Sequence, residues 1–176
     1  MNIFYIDRDP VKAAQWMVDK HVVKMILESA QLLSTAHRVL DGVEYVDASS
    51  GRRIKRWMLS DDREPVMYKA THINHPSAVW SRKSVENYNW LVDHFYALMN
   101  EYTYRYSKHH KCEGDLSYKL SSPPLNLKEY DMTPMICAMD NKYIVSQDPV
   151  ENYRNYYRQG KAALHKWTGR EPPPWL

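Results

Sequence analysis

Asp19, Lys20, His21, Lys24 and Glu28 place two carboxylates, two amines and an imidazole within ten residues of one another. They interrupt an otherwise apolar segment, WMVDKHVVKMILESAQLLSTAH, from Trp16 to His37. Such a set offers proton transfer by carboxylate or imidazole beside amines that can pair with anions or act as nucleophiles. The available amines are Lys20, Lys24 and the α-amine of Met1. A second chemistry is open to the same residues, with His21, Lys24 and Glu28 gathered around the phosphate or base of a free nucleotide. The plain alternative is a solvated helix face whose i,i+3 and i,i+4 pairs are worth a few tenths of a kcal/mol each.

The element that must position these groups begins at Asp9-Pro10, an N-cap followed by a first-turn proline. A helix is expected from there to about Leu40, ending at Asp41-Gly42. At about 100° per residue, Val11, Val18, Val22, Met25, Leu33, Ala36 and Leu40 fall on one stripe, the expected core face. His21, Lys24, Glu28, Gln31 and Thr35 gather on the opposite flank. Asp19 lies on the other flank, near Gln15 and His37, and borders the apolar stripe. An unpaired carboxylate there would be costly, so a buried partner or a chemical role is expected.

Further along, VEYV-DASSG-RRIKRWML alternates on both sides of a polar turn and reads as a small hairpin. His75-Pro76 opens a second expected helix to about Tyr106, with Arg82 and Lys83 on its polar strips and His72 and His75 at its entry. Free backbone N–H groups at such an entry favour anions. No third ligand follows the two histidines at a metal spacing, so no metal site is expected. Residues 108–147 should be mostly loop. Asp148-Pro149-Val150-Glu151 starts a third helix, expected to reach about Trp167 with a bend at Gly160. On it Tyr153 and Tyr157 share a core-facing side, and Arg154, Arg158, Lys161 and His165 form a basic stripe. The reading is a mainly α fold, one helical domain over residues 1–176 with long packed helices and a small β-hairpin.

Hydrophobic content of 44% and charged content of 26% are ordinary for a globular protein. No apolar run approaches the ~20 residues of a membrane span, and the first residues show no signal peptide. Cys112 and Cys137 fit no zinc spacing and read as free thiols, so a reducing, cytoplasmic setting is expected. The formal charge is only +3, but 14 Tyr and 6 Trp against 2 Phe is unusual. Amphipathic rings beside basic residues suit nucleic-acid contact. Nothing in the chain calls for a cofactor or an obligate protein partner.

Three stretches, NIFYIDRDPVKAAQWMVDKH, HPSAVWSRKSVENYNWL and YRNYYRQGKA, together resemble the pyrimidine-dimer DNA glycosylases of the endonuclease V type, a family common in bacteriophages. The resemblance implies an extended N-terminus inserted between helices, with Gln15 and His21 at matching positions. It also implies an aromatic, basic C-terminal segment that meets double-stranded DNA near the lesion. The implied activity is that of a DNA glycosylase and AP lyase acting on damaged or modified bases, with an amine of Met1, Lys20 or Lys24 attacking the sugar C1′ to form a Schiff base and Asp19 assisting. Residues implied for DNA contact are Gln15, His72, His75, Arg82, Lys83, Tyr153, Arg154, Tyr157, Arg158 and Lys161. Two positions depart from the family pattern. Residue 2 is Asn, too large for efficient removal of the initiator methionine, so the α-amine is that of Met1. Val23 stands where the family has its catalytic glutamate, and Asp19 is the expected substitute. A catalytically silent DNA-binding module is the other outcome compatible with Val23.

Overall fold

The computed structural model describes residues 1–176. Its helices are α1 (Pro10–Gln15), α2 (Asp19–Asp41), α3 (Pro76–Ser81), α4 (Val85–Tyr106), α5 (Asp115–Leu120) and α6 (Pro149–Gly160). Two strands, β1 (Val43–Asp47) and β2 (Ile54–Met58), pair antiparallel with Val43 opposite Met58 and Asp47 opposite Ile54. The fold is mainly α with one small hairpin, as the sequence pattern implies.

The proline-capped starts are observed. Asp9 accepts from the amides of Val11 and Lys12, and Asp148 from that of Val150. At α3 the cap is the imidazole of His75, which accepts from Ser77 N. Two expected helices are each divided. The first breaks between Gln15 and Asp19, because side chains from elsewhere capture the carbonyls there. Arg105 donates to the Gln15 and Met17 carbonyls, and the Trp167 indole donates to that of Trp16. The second breaks between Ser81 and Val85, where Asn87 takes the Trp80 carbonyl and Arg82 folds back onto those of Ala78 and Ile73. Ser84 then caps α4 by accepting from Asn87 N. The third helix ends at Gly160, short of the expected Trp167, and the chain continues through a single 3₁₀ turn, Ala162–Leu164.

Helices α2 and α4 pack along their apolar faces, with Val22, Met25, Ile26, Leu33 and Ala36 of α2 and Tyr88, Leu91, Phe95 and Leu98 of α4 all buried. The two ends of the expected core stripe are exceptions: Val11 is 47% exposed and Leu40 is half-buried. The N-terminal residues Ile3 to Ile6 run extended through this core at 5% exposure or less. Tyr5 meets Trp80, Trp90 and Tyr153, and Phe4 meets His21, Tyr153, Tyr156 and Tyr157. Burying each such side chain contributes roughly 1.5–3 kcal/mol, enough in sum to hold the first residues in one place. That placement decides where the α-amine lies. No helix is long and apolar enough to cross a membrane.

Candidate active site around the first residues

The N-terminal segment passes α2 at Glu28. Oε2 of Glu28 accepts from the Asn2 amide at 3.0 Å and lies 3.7 Å from the α-amine of Met1. Lys24, one turn earlier, reaches Oε1 of the same carboxylate at 3.4 Å. The Met1 side chain is buried, so the amine is fixed from behind while Lys24 remains exposed. Asn2 secures this register through its whole side chain. Its Nδ2 donates to the Ala138 carbonyl at 3.0 Å, and its Oδ1 accepts from Ile3 N and from the hydroxyl of Tyr153 at 2.9 Å. Tyr153 in turn accepts from Ala138 N. Thus α6 and the 138 loop both hold residue 2.

His75 borders the same place. Because its Nδ1 accepts from Ser77 N, the neutral ring carries its proton on Nε2. Burial, the charge of the Met1 amine and His72 depress its pKa, while Glu28 opposes them. His72, three residues earlier, is exposed and adopts φ 47°, a left-handed conformation that is uncommon for a residue other than glycine.

Around Phe4, three residues after Met1, runs a row of aromatic and basic groups. The His21 ring stacks on Phe4 at 4.3 Å, and its Nδ1 shares a hydrogen bond with the Tyr157 hydroxyl. Burial, then Lys161 and Lys24, push His21 down to about 3, so it is neutral at pH 7. Lys161 sits over the Tyr156 ring at 4.8 Å, Tyr156 packs on Tyr143 at 4.5 Å, and Lys142 lies over Tyr143. Tyr153 and Tyr157 themselves are fully buried.

The remaining candidates lie elsewhere or are engaged internally. Asp19 is nine residues before Glu28, about 14 Å along α2 and half a revolution away. It accepts from Arg105 and from the amide and hydroxyl of Thr168. Burial pushes this carboxyl up, but Thr168 and Arg105 outweigh it and hold the group below the usual carboxylate range. Gln15 also faces away from the amine. It lines a surface cleft with Tyr96, Glu101, Tyr104 and Arg170. Lys20 is exposed and unpaired. Arg82 is turned onto backbone carbonyls, while Lys83 is exposed at a cleft with Val79, Thr133 and Pro134.

The basic stripe expected on α6 is divided. Arg154 donates to the Ile6 carbonyl and pairs with Asp7 and Glu151, lying between the rings of Trp16 and Trp175. Arg158 donates to the Trp175 carbonyl. Both fasten chain ends, and Lys161 is the member left beside the aromatic row. Asn2, Lys142, Tyr143 and Tyr156 escaped sequence reasoning. Only Tyr156 carried a signal, its place in the aromatic run of α6; the others join the site through contacts more than 130 residues apart or through a loop.

The structure therefore brings together Met1, Lys24, Glu28 and His75 from the expected set, while His21 and Lys161 gather on Phe4 of the same N-terminal segment. Val23 is exposed on the surface of α2, and the carboxylate at the amine is that of Glu28. No match was found among curated proteins or solved structures. A family model described as pyrimidine dimer DNA glycosylase matches residues 1–114, the segment containing the amine, Glu28 and the His75 entry. The chain belongs to the pyrimidine dimer DNA glycosylase family.

Proposed function

We propose that the protein is a DNA glycosylase with AP-lyase activity, using the α-amine of Met1 as its nucleophile on double-stranded DNA. The observation that carries this reading is the Met1 amine, 3.7 Å from Glu28 at the end of a buried, fastened segment. A lysine side chain would bring four rotatable bonds to the reacting nitrogen. An α-amine held by its own backbone brings almost none, which favours a productive approach to one carbon.

Glu28 takes the proton that the amine must lose before it attacks C1′. The new N–C1′ bond forms as the glycosidic C–N bond breaks, and the departing base carries away the electron pair and the proton that Glu28 had received. The ammonium then passes a second proton through Glu28 to the ring oxygen as the C1′–O bond breaks, leaving an iminium ion between Met1 and C1′ whose positive charge the Glu28 carboxylate faces. Lys24 and Lys161 neutralise phosphates beside the amine, and Tyr143 and Tyr156 offer faces to an unstacked base. Asp19 serves as an anchor, His21 as a neutral packing group, and Arg154 and Arg158 as fasteners; none of these four is assigned a chemical step.

The test is borohydride trapping on duplex DNA bearing an abasic site, followed by mapping of the modified residue. A covalent adduct on Met1 is expected. Acetylation of the N-terminus should abolish it. An adduct that maps to Lys20 or Lys24 would reassign the nucleophile, and DNA binding without an adduct would leave the silent binding module.

A further inference from the structure

The hairpin carries the least explained charge in the molecule. Its turn and second strand contain Arg52, Arg53, Lys55 and Arg56, against Glu44 and Asp47 in the first. Lys55 pairs with Glu44 across the strands at 3.0 Å, and Asp47 turns inward onto Ser49. Arg52 and Arg53 are exposed at the tip and meet no partner within the chain. Arg56 stands opposite Tyr45, and its Nε is buried without a hydrogen-bond partner. Val43 and Met58, on the same face as Tyr45 and Arg56, are 71% and 53% exposed. A two-stranded ribbon is at best marginally stable alone, so this one is held at its root. There Arg38 donates to the Trp57 carbonyl at 2.9 Å and to those of Tyr68 and Met67, and pairs with Glu64.

That root lies on the flank of α2 that holds the amine. Glu28, Thr35 and Arg38 fall within about 80° of one another around the helix. The chain returning from the ribbon follows the same flank, meeting Arg38 through Met67 and Tyr68 and Thr35 through Thr71 before His75 comes to the amine. Arg38 is ten residues, or about 15 Å, beyond Glu28. Five-residue strands add about 16 Å, so the tip lies within something like 35 Å of the amine, roughly ten base-pair steps.

We propose that the β1–β2 ribbon is a second DNA contact, seated in a groove of the duplex flanking the reacting nucleotide, with Arg52 and Arg53 on phosphates. This rests on the DNA reading of the preceding section. The charge sign fits a polyanion, and a two-stranded ribbon has the width that the major groove admits. Tyr45, Val43 and Met58 present an apolar face of the kind that meets base edges and thymine methyl groups.

The experiment compares wild type with Arg52→Ser/Arg53→Ser and with the charge-keeping Arg52→Lys/Arg53→Lys. Binding is measured against salt on a central abasic site in a duplex of about 26 base pairs and in a hairpin-closed stem of about eight. On the long duplex the serine variant should lose about 1.8 from the salt slope and bind on the order of tenfold more weakly at 0.1 M salt. The lysine variant should restore both values. On the short stem the serine variant should match wild type in affinity and in borohydride adduct at saturating DNA. Unchanged melting temperature checks the fold, since both arginines are exposed. A serine variant equal to wild type on the long duplex overturns the proposal. Equal losses on both lengths, or on a single strand of the long sequence, overturn the flanking-duplex placement. Wild type that neither binds nor is trapped on either substrate removes the underlying DNA reading as well, an outcome distinct from the others.

Discussion

Of the acids on helix α2 that meet positive charge, Asp19 in its first turn and Glu28 near its middle have opposite fates. Asp19 is closed in by Arg105, whose guanidinium also binds Glu101 and two backbone carbonyls, and by Thr168. Glu101 is then paired by Arg170, so the C-terminal tail is drawn into the same network. Every charge there is matched by a fixed partner. Glu28 instead meets the Met1 amine at 3.7 Å, a backbone amide and the exposed Lys24. Its partners are a main-chain end and a side chain free to leave. A carboxylate becomes an anchor when its contacts are saturated and immobile, and becomes available for proton transfer when one of its partners is itself reactive.

The sharpest way to break this comparison is Glu28→Gln. The amide keeps the size and can still meet Asn2 N, so the melting temperature should move little. Adduct formation should fall by something like 10²–10⁴, the scale of acid-base assistance. A variant that stays fully active would remove Glu28 from the chemistry.

Asp19→Asn should show the reverse pattern. It leaves Arg105 and Arg170 sharing the single carboxylate of Glu101, and breaking a buried pair of this kind typically costs about 3–5 kcal/mol. Urea unfolding should register that loss, while adduct formation per folded molecule stays near wild type. If stability holds and turnover collapses, the two acids have been assigned the wrong way round.

Acid should expose a third difference. His21 and His37 are held down to about 3 and about 4, in both cases by burial first. Their folded values lie below the unfolded value of about 6.5, so the unfolded chain binds more protons between those limits. Stability from their neutral forms is present above pH 6.5 and is lost as pH falls toward 4. His21→Gln should flatten that decline by up to about 1.4 kcal/mol per pH unit in denaturant titrations. An unaltered slope would mean that His21 is protonated in the fold.

The smallest effect is expected at Lys20, exposed and unpaired one residue from Asp19. Lys20→Ala should leave melting and adduct yield unchanged, and shift the salt slope of DNA binding by no more than about one. A lost adduct would make Lys20 the nucleophile.

How much of this was readable in the sequence depended on the range of the interactions. The starts of α1, α3 and α6 were legible because Asp9-Pro10, His75-Pro76 and Asp148-Pro149 are local signals. The breaks after Gln15 and Ser81 were not, because no glycine or proline marks them. They are made by Arg105, Trp167 and Asn87, which capture helical carbonyls from a distance in the fold or the chain. The need for a partner or a chemical role at Asp19 follows from its position beside the apolar stripe, and Arg105 and Thr168 are the partners. Glu28 was recognised as an acid on the Lys24 flank. Its meeting with the amine was not visible, since it depends on residues 3–6 threading the core and on Tyr153 and Ala138 holding Asn2.

That threading has a consequence for timing. Residues early in the sequence are positioned by much later ones, with Asn2 joined to Tyr153 and Phe4 packed on Tyr156 and Tyr157. Contacts so far apart in the chain form slowly and late. An emerging chain with α2 already folded would hold Glu28 and Lys24 without a docked amine. Met1 is therefore synthesised well before the residues that dock it, and the site as a whole is completed only when α6 is in place.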